Sequence, residues 1–171
     1  LVEVLTIPVE TLSFKFEDDW LVSKYDDWSY YKNRFRKIRA GVKAVDLLAI
    51  DPAQTIWIIE VKDYRRHPRT KPIDLAEELA HKVFDTMAAL LPAHVNGDVA
   101  DETRVAKSAL AARKLRVVLH LEQPKAHSKL FPRAIDPANI QMQLRKLVKA
   151  IDAHPLVVEM SRLDSVAWQV A

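Results

Sequence analysis

The sequence predicts an α/β domain, a mixed central sheet flanked by helices. Two observations predict it. Short apolar runs rich in β-branched residues (44–50, 55–61 and 115–121) are interleaved with longer segments (72–91, 101–114 and 136–152) that carry helical apolar spacing or helix-cap residues. The chain has 171 residues, enough for one sizeable core and short for two. Strands and helices therefore share the layers of one domain, residues 1–171.

The elements follow in order. Segments 2–7 and 11–16 read as two short strands around Pro8. Trp20 to Lys24 reads as a strand, although the aromatic stretch it opens has mixed periodicity. Trp28, Tyr31, Phe35 and Ile38 are spaced 3, 4 and 3, which suits a helix. These aromatics are expected in the core. Segments 44–50 and 55–61 are strands joined by a turn, because Pro52 presets φ and Asp51 can bond nearby backbone. The second strand is apolar on both faces up to Glu60, as a central strand covered on both sides should be. Leu75, Leu79, Val83, Met87 and Leu90 place a helix over 72–91, with Pro72 in its first turn. Asn96-Gly97-Asp98 reads as a turn, and 101–114 as a helix capped by Asp101. A strand at 115–121 follows. Asp136 caps a helix with Pro137 at its first position, running to about 152. Strands at 156–160 and 166–170 close the chain.

Composition excludes several chemistries. The absence of cysteine rules out disulfides, Cys-ligated zinc and iron–sulfur clusters, and it suits a cytoplasmic location. The two glycines, Gly41 and Gly97, cannot build a P-loop or a dinucleotide fingerprint. The apolar runs are far shorter than the roughly 20 residues of a membrane-spanning helix, and the start Leu-Val-Glu-Val lacks a secretory signal's basic opening. None of the six histidines pairs at the i, i+4 spacing of a helical zinc site. His120, late in a strand, is expected in the core. The net charge is +3. Its distribution says more. Lys32, Arg34, Arg36, Lys37, Arg39 and Lys43 occur with no acid among them, and Lys62, Arg65, Arg66, Arg69 and Lys71 form a second cluster opposed only by Asp63. Such clusters attract phosphates, although a basic run taken alone is more often a solvated face.

The chemistry centres on Asp46, Glu60 and Lys62. Acids inside apolar strands are expensive without a partner. If the two strands form a hairpin with an odd-numbered loop centred on Ala53, opposed residues have numbers summing to 106, and Asp46 faces Glu60. Directly opposed residues have Cβ atoms about 4.5–5.5 Å apart. Lys62, two positions beyond Glu60, shares its face. A loop one residue longer or shorter would move Asp46 to the other face. Two carboxylates so placed need a cation between them. Lys62 alone would make a structural ion-pair cluster, whereas Mg²⁺ would make a centre able to polarise a phosphodiester.

Asp46, a spacer of 13 residues and then Glu60-Val61-Lys62 at the end of an apolar strand resembles the PD-(D/E)-x-K nuclease superfamily over roughly residues 20–121. The resemblance implies a restriction-endonuclease-like αβββαβ core, with the helix and strands of 136–171 packed on it. It implies metal-dependent hydrolysis of nucleic acid, DNA more than RNA, with Mg²⁺ or Mn²⁺ as cofactor. By position, Asp46, Glu60 and Lys62 would be catalytic, with Asp46, Glu60 and the main-chain carbonyl of Val61 holding the metal. Asp26 is a further candidate ligand. Beside that site, Arg65, Arg66, Arg69 and Lys43 are candidates for nucleic-acid contacts, and a homodimer is the assembly expected of an enzyme that cuts two strands. Val45 stands where the motif's name has Pro, and the following helix lacks the Gln-x-x-x-Tyr of exonuclease-like members. Two other readings remain open: a nuclease fold that binds nucleic acid or a protein without catalysis, and a hairpin whose charges merely emerge at the sheet's end.

Overall fold

The computed structural model describes residues 4–125 and 134–171. Val2 of the expected first strand and His127 lie outside them.

Three layers form the domain. The middle layer is a five-stranded sheet in the order β3 (Leu21–Lys24), β4 (Leu47–Ile50), β5 (Thr55–Asp63), β6 (Lys114–Glu122) and β7 (Leu156–Val158). β3, β4 and β5 are antiparallel, and β5, β6 and β7 are parallel. One face is covered by α2 (Leu75–Asn96), α3 (Ala100–Leu110) and α4 (Pro137–Val148). The other is covered by a small sheet of β1 (Val4–Val9), β2 (Leu12–Glu17) and β8 (Gln169–Val170). The expected mixed sheet flanked by helices is present. An αβββαβ order is not confirmed: among the described residues, β1 and β2 precede β3 where that order has a helix.

Alternation along the strands sorts the two cores. Leu48, Ile50, Ile56 and Ile58 face the helices, together with Val117, Leu119 and Leu121. Leu47, Ala49, Trp57, Ile59 and Val61 face the small sheet, against Phe14, Phe16 and Trp168. β5 is therefore buried on both faces, as its apolar run requires.

The hairpin has the register inferred above. Leu47 pairs with Ile59 and Ile50 with Ile56, so opposed numbers sum to 106. The turn explains it. Gln54 adopts a left-handed φ of 61°, its N–H donates to Asp51 O (2.9 Å), and the Thr55 N–H donates to Asp51 Oδ1 (2.8 Å). A three-residue loop closed by a left-handed residue is a common hairpin connection.

Several boundaries differ. β4 begins at Leu47, leaving Asp46 just outside it. The aromatic stretch is not one helix. It breaks into short turns around α1 (Ser29–Asn33), which bury Trp28, Tyr30, Tyr31 and Phe35 but leave Ile38 64% exposed. α2 starts after Asp74, whose carboxylate accepts from the Ala76 and Glu77 N–H groups, so Pro72 lies before the helix. The helix runs through Pro92, because Ala89, Leu90 and Ala93 remain core residues on the same face. The Gly97 N–H donates back to Ala93 O at its end. α3 begins at Ala100, which puts Asp101 in the first turn rather than at the cap.

Candidate functional site

Glu60 is wholly buried on the helix-facing side of β5. Two ammonium groups share its Oε1: Lys62 Nζ at 2.7 Å and Lys82 Nζ, from α2, at 2.5 Å. Asp46 lies across the hairpin, and its Oδ2 accepts the Val61 N–H at 2.7 Å. Asp26, on the turn after β3, is close enough to interact with Glu60 and Lys82, and its Oδ1 is buried without a hydrogen-bond partner. The structure thus brings Asp26, Asp46, Glu60 and Lys62 together. It adds Lys82, which the sequence reading missed.

The electrostatics follow from burial and crowding. Burial pushes the Glu60 carboxyl up to about 7, and the neighbouring Asp46 adds to this while Lys82 and Lys62 oppose it. Burial also raises Asp46, against Lys82 and the Val61 N–H. Asp26 is raised by burial and by Asp27. Burial works to lower Lys62, but the Glu60 carboxylate overcomes it and the ammonium is held charged.

Lys82 belongs to a polar row on α2, Glu78-Lys82-Asp85, that runs beside the apolar stripe used to identify the helix. The row holds both basic segments. Glu78 takes Lys71 Nζ on Oε1 (2.7 Å) and Arg69 Nη2 on Oε2 (2.7 Å). Burial would raise the Glu78 carboxyl, but these partners outweigh it and push it down to about 2. One turn beyond Lys82, Asp85 takes Arg39 Nη2 on Oδ1 (2.6 Å) and the Lys43 N–H on Oδ2 (2.8 Å). The buried centre and the two basic loops are therefore anchored on one helix.

The other expected site residues are placed as follows. Arg69 is committed inward: besides Glu78 it donates to Tyr64 Oη and to Ile73 O, so it acts as a strut of its loop. The Val61 N–H donates to Asp46 Oδ2. Arg65 is clamped by Asp63 and Thr11 at the surface. Arg66 and His67 are exposed, and Lys43 is half-buried. His120 points to the opposite sheet face, edge-on to Phe14 and bonded to Glu122 Oε1 (2.8 Å).

The residues do not fit the Mg²⁺ or Mn²⁺ role expected of them. Glu60 Oε1 is taken by two ammonium groups, and Asp46 Oδ2 accepts a backbone N–H. Among the described residues, no group of three or more histidine or acidic side chains is arranged to hold a metal. Nor, among them, is any helix long and apolar enough to cross a membrane. What the centre offers chemically is a charge-balanced lock between β5 and α2, with one carboxyl that exchanges its proton near neutrality.

No family model matches the chain, and no solved structure matches it. The chain is similar to a cysteine–tRNA ligase of Neisseria meningitidis serogroup A / serotype 4A, 30% identical over an alignment of 207 residues. The alignment takes in 97% of this chain and 30% of that protein, so the chain spans about a third of the length of the curated relative it matches. This overturns the expectation of a metal-dependent DNA nuclease. Asp46, Glu60 and Lys62 do converge, but the similarity running across nearly the whole chain is to a tRNA ligase, and the converged residues neutralise one another.

Proposed function

We propose that this chain is the tRNA-engaging part of a cysteine–tRNA ligase-related enzyme. The observation that carries this reading is the similarity to such a ligase across 97% of the chain. The charge arrangement supports it. Arg36, Lys37 and Arg39 are exposed on one loop, and Arg65, Arg66 and Lys71 on the other. Each loop is held to α2 by a carboxylate, Asp85 for the first and Glu78 for the second. Positive groups at fixed separation bind a phosphate backbone largely through counterion release. The Glu60–Lys62–Lys82 centre holds α2 to the sheet and so fixes the distance between the loops.

In this reading the bond-forming chemistry lies outside the chain. With two glycines it has no Gly-rich cradle for a nucleotide's phosphates, and the relative's unmatched portion is the larger share of that protein. No divalent ion is assigned to this chain's own side chains.

The test is fluorescence anisotropy with labelled tRNA against duplex DNA of equal charge. The reading expects saturable tRNA binding that weakens with salt and outcompetes the duplex. Absence of saturable tRNA binding, or equal affinity for the duplex, contradicts it.

A further inference from the structure

A second feature lies on the outer side of the helix layer. Between α2 and α4 is a cavity of about 370 Å³, within the range of small-molecule sites of roughly 300–1,000 Å³. Ala80, Phe84 and Leu147 give it apolar walls. Phe84 is 42% exposed, unusual for an aromatic side chain on a helix packed on both flanks. Gln143 lines the same cavity, and its Oε1 is buried without a hydrogen-bond partner, a state that costs free energy unless something supplies a donor. Glu77 and Lys146 stand at its rim. Asp74, which caps α2 and lines the cavity, is only three positions after Lys71 of the basic loop.

We infer that this cavity receives one unstacked RNA base, a subsite that rests on the tRNA reading above. An exposed aromatic ring stacks on a base face, and an amide reads the base edge; single-stranded RNA is recognised in this way. The polar lining selects among bases. Gln143 Oε1 and the Glu77 carboxylate both accept, so the cavity favours a base presenting several N–H donors on one edge. Guanine, with its ring N–H beside its amino group, meets this best, and uracil, with a single N–H, meets it worst. Lys146 is placed for the attached phosphate.

Two measurements test the inference. The first is tRNA affinity of wild type, Phe84→Ala, Phe84→Tyr and Gln143→Leu, with thermal melting as a check of folding. Phe84→Ala is expected to weaken binding roughly 5- to 150-fold, the range for loss of one stacked base. Phe84→Tyr should retain affinity, and Gln143→Leu should lose it. A folded Phe84→Ala variant that binds tRNA as wild type does overturns the inference and leaves the tRNA reading standing. The second measurement is saturation-transfer NMR with GMP and UMP alone. Stronger contact with GMP, lost in Phe84→Ala, supports the cavity even if tRNA itself is not bound. Equal or absent contact with both nucleotides overturns it.

Discussion

Lys82 reaches from α2 to within 2.5 Å of Glu60 Oε1, the oxygen that Lys62 also contacts from β5 itself. The pair joins the central strand to the helix that carries both basic loops. Breaking one partner of a buried ion pair leaves an uncompensated charge, at a cost of about 3–5 kcal/mol. Lys82→Met leaves Glu60 with Lys62 as its remaining partner, so it should destabilise the domain by less than that, read from urea denaturation. The double variant Lys82→Met/Glu60→Gln should recover part of the loss, because the carboxylate that has lost one of its two partners is removed. A Lys82→Met variant as stable as wild type would show that the contact does not hold the helix to the sheet.

Stability should also depend on pH in two opposite ways. Glu60 is raised from 4.5 to about 7 in the folded protein. The folded state then holds this proton more tightly than the unfolded one. Its contribution is full below about pH 4.5 and is lost as pH rises through 7, a change on the order of 3 kcal/mol. Glu78 is lowered to about 2, so its contribution is full above about 4.5 and is lost as pH falls toward 2. This centre thus predicts greatest stability near about pH 5. Glu60→Gln should flatten the decline from about pH 5 to 8 and leave the acid limb in place, as read from denaturation midpoints across that range.

Asp46 distinguishes charge from hydrogen bonding. Asp46→Asn keeps an acceptor for the Val61 N–H and removes a carboxylate that raises Glu60. Stability should change by less than about 1 kcal/mol, and Glu60 should titrate lower, visible in its side-chain carboxyl NMR signal. Asp46→Ala strands a buried N–H and should cost about 1–3 kcal/mol. If the two variants cost the same, the bond to Val61 contributes nothing.

Much of this centre was legible in the sequence, for local reasons. The turn residues set an odd-numbered loop, and strand alternation then put Asp46, Glu60 and Lys62 on one face. Lys82 was not legible as a member, since which side of a helix meets which strand is settled by tertiary packing. Arg69 misled for the same reason: in sequence it is one more cation in a basic run, and in space Glu78 claims it. The functional reading failed at a different step. Two acids and a lysine on a strand pair read as a metal centre when no further cation is in view, and α2 brings one, Lys82, onto Glu60. The third layer was half visible. Its strands were foreseen, but the pairing of β8 with β2 joins opposite ends of the chain, which local patterning does not report.

The measurement that tests the central claim most directly is the salt dependence of tRNA binding by wild type and by the triple variant Arg36→Glu/Lys37→Glu/Arg66→Glu, which alters both loops and leaves the buried centre untouched. Each phosphate contact contributes about 0.7–0.9 to the slope of log K against log salt. The account predicts weaker binding and a slope shallower by about 2–3 in the variant, with an unchanged melting temperature. Wild-type binding whose affinity and slope survive the triple charge reversal would contradict it.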